Sequence, residues 1–261
     1  MSLTRKWRHG LVFAALVFSL VTGALVAAPV QAASSVAADV QQEEPRVHPR
    51  LPALWYQWTF AQQAVDVPEA GAPAGIFSPA GINNTNPVMD KTGAYATAGQ
   101  ENGIGPGSRY FFLSGTFGDS VIRSVTVPQG KILFFPTYNI QIDNAADPLP
   151  DPRLSADDMC RIAANLVNTN EVVQSATLDG EPVTSFRMQS TPFSYKPRAE
   201  DSLYDYFGLV GPQFEGTVAP SCDDGFWAVL GPLAPGQYVL EINASDKNGF
   251  AIKVIYHLTV L

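Results

Sequence analysis

Val121-Ile-Arg-Ser-Val-Thr-Val-Pro-Gln-Gly-Lys-Ile-Leu-Phe-Phe-Pro-Thr-Tyr-Asn139 is the stretch whose reading decides the fold. It reads as a strand, a tight turn at Pro128-Gln129-Gly130, and a second strand over residues 131–135 that is apolar on both faces. A strand with no polar face must be covered on both sides, so this one belongs at the centre of the core. Val127-Pro128-Gln129-Gly130 fits a type I turn, with Pro at its second position and Gly at its fourth. The two strands are therefore expected to pair as a hairpin, and Pro136 to end the second of them.

Working outward, residues 109–117 form another strand apolar on both faces, and Gly118-Asp119 turns it into the hairpin. Residues 172–178 and 183–189 flank Asp179-Gly180, a step that supplies positive φ for a second hairpin. Near the C-terminus, residues 226–230 read as an apolar strand and Ala234-Pro235-Gly236-Gln237 as a type II turn. Residues 238–243 then alternate, with Tyr238, Leu240 and Ile242 on one side. After Asp246-Lys-Asn-Gly249, the last strand sets Phe250, Ile252, Val254, Tyr256, Leu258 and Val260 against Lys253, His257 and Thr259. Many short strands with Pro and Gly turns imply a mainly β chain, an antiparallel β-sandwich of Ig-like or jelly-roll-like type.

One to three short helices interrupt that pattern. Residues 53–64 place Leu54, Trp55, Trp58 and Ala61 on one face. Ser155-Ala-Asp-Asp158 is a capping box in its Asp form, opening a helix over 155–168 whose stripe is Met159, Ile162, Ala163, Leu166 and Val167. Residues 203–209 hold a further helical turn.

Arg5, Lys6 and Arg8 precede an apolar run from Leu11 to Val30, and Val30-Gln31-Ala32 supplies a small-residue cleavage pattern. Residues 1–32 thus read as a secretory signal peptide, with an uncleaved membrane anchor as the alternative. Residues 33–50 read as a flexible linker, and 51–261 as one β-sandwich domain with the two helical insertions. Beyond residue 32 stand 13 Lys and Arg against 24 Asp and Glu, a net charge of −11. That balance argues against nucleic acid as a partner, and no second apolar run calls for membrane insertion after cleavage. In an exported chain Cys160 and Cys222, the two cysteines, are most simply a disulfide, here one between the helix and the loop before Phe226. The expected location is secreted or periplasmic.

Several segments together resemble an uncharacterised family of exported bacterial proteins. They are Leu54-Trp-Tyr-Gln-Trp58, Asn86-Pro-Val-Met-Asp-Lys-Thr-Gly93, Gly99-Gln100, Tyr110-Phe-Phe-Leu-Ser-Gly115, Val127-Pro-Gln-Gly-Lys-Ile-Leu-Phe-Phe-Pro136 with Asn139, Asp224-Gly-Phe-Trp227 and Leu233-Ala-Pro-Gly-Gln-Tyr238. The family brings no established activity, so the resemblance implies export and architecture and transfers no catalytic residue. Its members carry a cysteine pair where this chain has Ala96 and Val125, which implies the loss of a second disulfide here.

Candidate sites are few. Trp55 and Trp58 are the ligand-binding candidates, since aromatics at this spacing can stack on sugar rings, although core packing explains the same stripe. Asp143, Asn144, Asp147 and Asp151 offer hard oxygen ligands, so calcium is the one cofactor left open; their spacing matches no EF-hand loop, and a solvated loop is the simpler reading. No catalytic residue is assigned: past the linker His257 stands alone, mid-strand, and no Gly-x-Ser-x-Gly occurs. Asp223-Asp224 beside Phe226-Trp227 is the best local carboxylate pair, read otherwise as a turn before a strand. The expected function is a non-catalytic exported protein binding a carbohydrate, an extracellular polymer or another envelope component. The alternative is an extracellular hydrolase using paired carboxylates.

Overall fold

The computed structural model describes residues 47–62, 86–95, 99–100, 107–145, 153–207, 209 and 211–261. Residues 1–32, expected to be a signal peptide, residues 33–46 of the expected linker, Ala96, Asp147 and Asp151 lie outside them. The chain is mainly β, with two five-stranded sheets and three helices among the described residues. The first sheet has the order β1 (Tyr110–Phe112), β3 (Ile132–Asp143), β8 (Val218–Leu230), β6 (Ser185–Gln189), and β7 (Phe193–Tyr195) also pairs with β8. The second runs β2 (Ser120–Val127), β10 (Ala251–Val260), β9 (Gly236–Ser245), β4 (Val173–Leu178), β5 (Glu181–Val183). Pairing is antiparallel except for β1 with β3 and β2 with β10.

The segment 121–139 is not a hairpin. Its turn closes locally, Lys131 N donating to Pro128 O at 3.4 Å, but it carries the chain from the second sheet to the first. The reason lies in the faces of the two strands. In β2, Val121, Arg123, Val125 and Val127 are buried while Ile122, Ser124 and Thr126 are exposed, which suits a sheet with one wet face. β3 needs cover on both faces, and the first sheet supplies it: Leu133 and Phe135 enter the core between the sheets, Phe134 a second core beneath helix α1 (Arg50–Phe60). The expected C-terminal hairpin fails likewise, β8 and β9 lying in different sheets. Gly236 opens β9 with φ 159°, not the roughly +80° of a type II turn. Turn chemistry sets the local bend, whereas burial selects the sheet the next strand joins.

Two local readings need finer correction. Asp179 and Gly180 take φ of 51° and 87° and join β4 to β5, but the strand expected over 183–189 divides there. β5 stays in the second sheet while β6 crosses to β8. Pro136 does not end β3; the strand runs on to Asp143 past a register shift between Pro136 and Tyr138. A residue without an N–H is accommodated at a bulge.

Helix α2 (Ala156–Thr169) is capped by Ser155, whose Oγ accepts from Asp158 N at 3.1 Å, and buries Met159, Ala163 and Val167 in the inter-sheet core. Cys160 and Cys222 form a disulfide. Cys222 lies within β8, so the bond ties α2 to a central strand and not to a loop. The second core packs Trp55, Trp58, Phe112, Phe134, Tyr204 and Trp227 between the outer face of the first sheet, α1 and the short helix α3 (Leu203–Tyr206).

Candidate functional site: an aromatic cavity over a buried acid network

The bulge at Pro136 decides which side chains face α1. Before it, Leu133 and Phe135 point between the sheets; after it, Tyr138, Ile140 and Ile142 do. A single extra residue has changed the parity of the strand, so Asn139, Gln141 and Asp143 turn to the outer face. The antiparallel register sets Gln141 against Asp223 and Asp143 against Ser221 on β8. Gly225, opposite Asn139, permits the close approach, since a Cβ there would lie 2.5 Å from Tyr138 O and 2.6 Å from Asn139 Cα.

These polar side chains form two hydrogen-bonded groups under α1, one around Asp223 and one around Asp143. Tyr56 Oη donates to Asp223 Oδ1 at 3.0 Å and accepts from Asn139 Nδ2 at 2.7 Å. Gln141 Nε2 donates to Asp143 Oδ2 at 3.0 Å and to Ser221 Oγ at 2.7 Å. Asp143 also accepts from the Tyr195 hydroxyl and from Ala145 N, and Tyr195 and Tyr204 share a hydroxyl contact. Burial raises the Asp223 carboxyl well above its ordinary value, with the neighbouring Asp224 adding to the effect against the opposing hydrogen bond from Tyr56. Burial likewise raises Asp143, opposed by its donors, and pushes up the Tyr56 and Tyr195 hydroxyls beside these acids. Asp223 Oδ2 and the indole N–H of Trp227 are buried without a hydrogen-bond partner.

Asp223 and Asp224 are mid-strand and buried, not in a turn. Consecutive strand residues face opposite ways. Asp223 therefore meets α1, whereas Asp224 pairs with Arg187 Nε at 2.7 Å on the face toward α2, where the same guanidinium reaches Ala164 O. The two acids do not converge on one pocket.

Above these groups lies a cavity of about 90 Å³. Trp55, Tyr56, Thr59 and Phe60 of α1 wall one side; Asn139 and Gln141 lie on the sheet side; Val88, Gly115, Thr116, Phe117, Leu203 and Phe250 complete it. None of these residues is Asp, Glu, His, Cys, Lys or Arg.

A buried cation secures the rim. Arg123 is wholly buried, and its Nε donates to Asp90 O at 2.6 Å, Nη2 to Val88 O at 3.0 Å, and Nη1 to Ser114 O at 2.8 Å, Gly115 O at 3.2 Å and Tyr256 Oη at 2.7 Å. Among the described residues no carboxylate lies within ion-pair distance of it. The segment 86–93 thus folds around a guanidinium, and two of the carbonyls that hold it belong to cavity residues Val88 and Gly115.

The sequence-level candidates fall as follows. Trp58 is fully buried and presents no face to a sugar; Trp55, 5% exposed, donates its indole N–H to Leu113 O at 2.8 Å and borders the cavity. Their stripe is core packing, stabilised by the apolar area both bury. Asp143 accepts from Gln141, Tyr195 and Ala145 N, and Asn144 brackets Leu154 through bonds of 3.1 and 3.2 Å. Among the described residues no group of three His, Cys, Asp or Glu could hold a metal ion. Tyr56, Gln141 and Tyr195 were not singled out by sequence. The period-two polar series Asn139-x-Gln141-x-Asp143 was the available signal for Gln141.

Neither a family model nor a curated protein matches the chain. Among solved structures, InlP of Listeria monocytogenes aligns at 11% identity with a TM-score of 0.18, over 59% of this chain and 28% of that one, a likeness too slight to carry any argument.

Proposed function

We propose that this chain is an exported, non-catalytic β-sandwich protein that binds a small molecule, or the end of a larger envelope component, in the cavity between α1 and the first sheet. The observation that carries this reading is the make-up of the cavity: aromatic walls, a few oriented polar groups, and no Asp, Glu, His, Cys, Lys or Arg among its lining residues. The buried acids beneath it act as scaffold, fixing Tyr56, Asn139 and Gln141. At about 90 Å³, the cavity is smaller than the roughly 150 Å³ that admits a benzene ring, so a whole sugar ring does not fit and a chain terminus does. Export is supported by the N-terminal sequence pattern and by the Cys160–Cys222 disulfide, and no described helix is long and apolar enough to cross a membrane.

The test is calorimetric titration of the purified protein with n-butanol, n-butylammonium and n-butyrate, alongside Gly115→Val. A Cβ on Gly115 meets Ile252 Cδ1 at 3.6 Å, an ordinary van der Waals contact, so this lining position has room for a side chain. Saturable binding of at least one probe, lost in Gly115→Val, is expected. Failure of all three to bind would refute the reading.

A further inference from the structure

We infer that the cavity selects a hydrogen-bond donor at the end of a short apolar chain, an organic ammonium group above all; this rests on the binding role proposed for the same cavity. The inference comes from following every polar atom on the lining side chains. Trp55 Nε1 donates to Leu113 O, Tyr56 Oη to Asp223, Thr59 Oγ1 to Tyr56 O at 3.0 Å, and Thr116 Oγ1 to Asp119 O at 2.9 Å. Asn139 Nδ2 is held by Tyr56, and Gln141 Nε2 by Asp143 and Ser221. Each of these donor atoms has at least one protein acceptor.

The acceptors differ. The two groups fix both amides with nitrogen inward, because Asp143 accepts from Gln141 and because Tyr56, donating to Asp223, can take only a donor from Asn139. Their carbonyl oxygens, Asn139 Oδ1 and Gln141 Oε1, make no hydrogen bond and are not among the occluded unpartnered atoms. Two acceptor oxygens thus face a space walled by Trp55, Tyr56, Phe60, Phe117 and Phe250. A guest with a donor satisfies them; a carboxylate meets oxygen against oxygen. Aromatic rings favour a cation over a neutral donor, as does the chain's net charge of −8.

The same butyl series separates this inference from the role it rests on. n-Butylammonium is expected to bind about tenfold more tightly than n-butanol, with n-butyrate giving no saturable heat. Gly115→Val should abolish binding of both. If n-butyrate binds as tightly as n-butylammonium, the donor selectivity is wrong, and if n-butanol does, the preference for a cation is wrong; the binding role stands in either case. If no probe binds, both fall together. If n-butylammonium binds equally well to Gly115→Val, it is held elsewhere on the acidic surface and the inference is overturned.

Discussion

Replacing Arg123 with methionine should remove much of the fold's stability although no ion pair is lost. The side chain is wholly buried and is the donor for four backbone carbonyls, those of Val88, Asp90, Ser114 and Gly115, and for the hydroxyl of Tyr256. Methionine keeps much of the volume and supplies no donor. Each buried acceptor left unpaired costs about 1–3 kcal/mol. Against that sum stands the relief of no longer desolvating a guanidinium, itself several kcal/mol. The net loss expected from this balance is about 4 kcal/mol. Arg123→Lys should lose about half as much, since an ammonium places three donors at one point and cannot span acceptors that lie around a planar fork. Urea unfolding followed by the fluorescence of buried Trp58 and Trp227 reads the effect. At an m-value of about 2–3 kcal/mol/M, Arg123→Met should lower the midpoint by roughly 1.3–2 M. A midpoint within about 0.3 M of wild type, at that same slope, would show that the carbonyl cage does not need its cation.

Three further outcomes follow from the same structure. Gly93 and Gly180 share φ of 87°, but a Cβ on Gly93 would lie 2.6 Å from Ser124 O while one on Gly180 meets nothing within 4 Å. Gly180→Ala should therefore cost only the conformational term, about 1 kcal/mol, and Gly93→Ala at least twice that by urea unfolding; equal losses would contradict the packing of 86–93 against β2. Reducing the disulfide, which closes a separation of 62 residues, should cost about 4 kcal/mol on the chain-entropy model. An unchanged urea midpoint with and without dithiothreitol would reject it. Asp223 holds its proton more tightly when folded than when unfolded, so the native state carries the excess proton above the unfolded pKa of about 3.9. Its contribution to stability therefore falls as pH rises from there, by up to about 1.4 kcal/mol per unit, until the folded carboxyl ionises. Melting temperatures taken from pH 5 to pH 8 should show wild type losing ground to Asp223→Asn; parallel curves would mean that Asp223 titrates as it does in the unfolded chain.

The strands themselves were legible because period-two burial is written into residues one by one. β10 alternates as Ile252, Val254, Tyr256, Leu258 and Val260 demand, and Ser155 caps α2 as its spacing with Asp158 indicates. Sheet membership was not legible from turns. Pro128-Gln129-Gly130 bends the chain equally well within a hairpin or between layers, and the deciding quantity was whether each strand has one apolar face or two. Asp223-Asp224 invited reading as a turn because paired acids seldom enter a central strand. Tyr56 from α1 on one face and Arg187 from β6 on the other make it tolerable, and both partners are distant in sequence.

One residue links the fold to the cavity more directly than any candidate ligand. Had β3 kept its parity through Pro136, Tyr138, Ile140 and Ile142 would have faced α1, and Asn139, Gln141 and Asp143 would have entered the apolar core between the sheets. The proline that was expected to stop the strand instead exchanges its faces at the point where β3 passes from purely apolar to alternating sequence. Gly225 is the matching requirement on β8, where any side chain would strike the backbone at Tyr138 and Asn139. The bulge and its opposing glycine thus form a single device. It turns two amides toward Tyr56 and the acids below, and so leaves their carbonyl oxygens facing the cavity. A cavity of this polarity depends on backbone register before it depends on any one lining side chain.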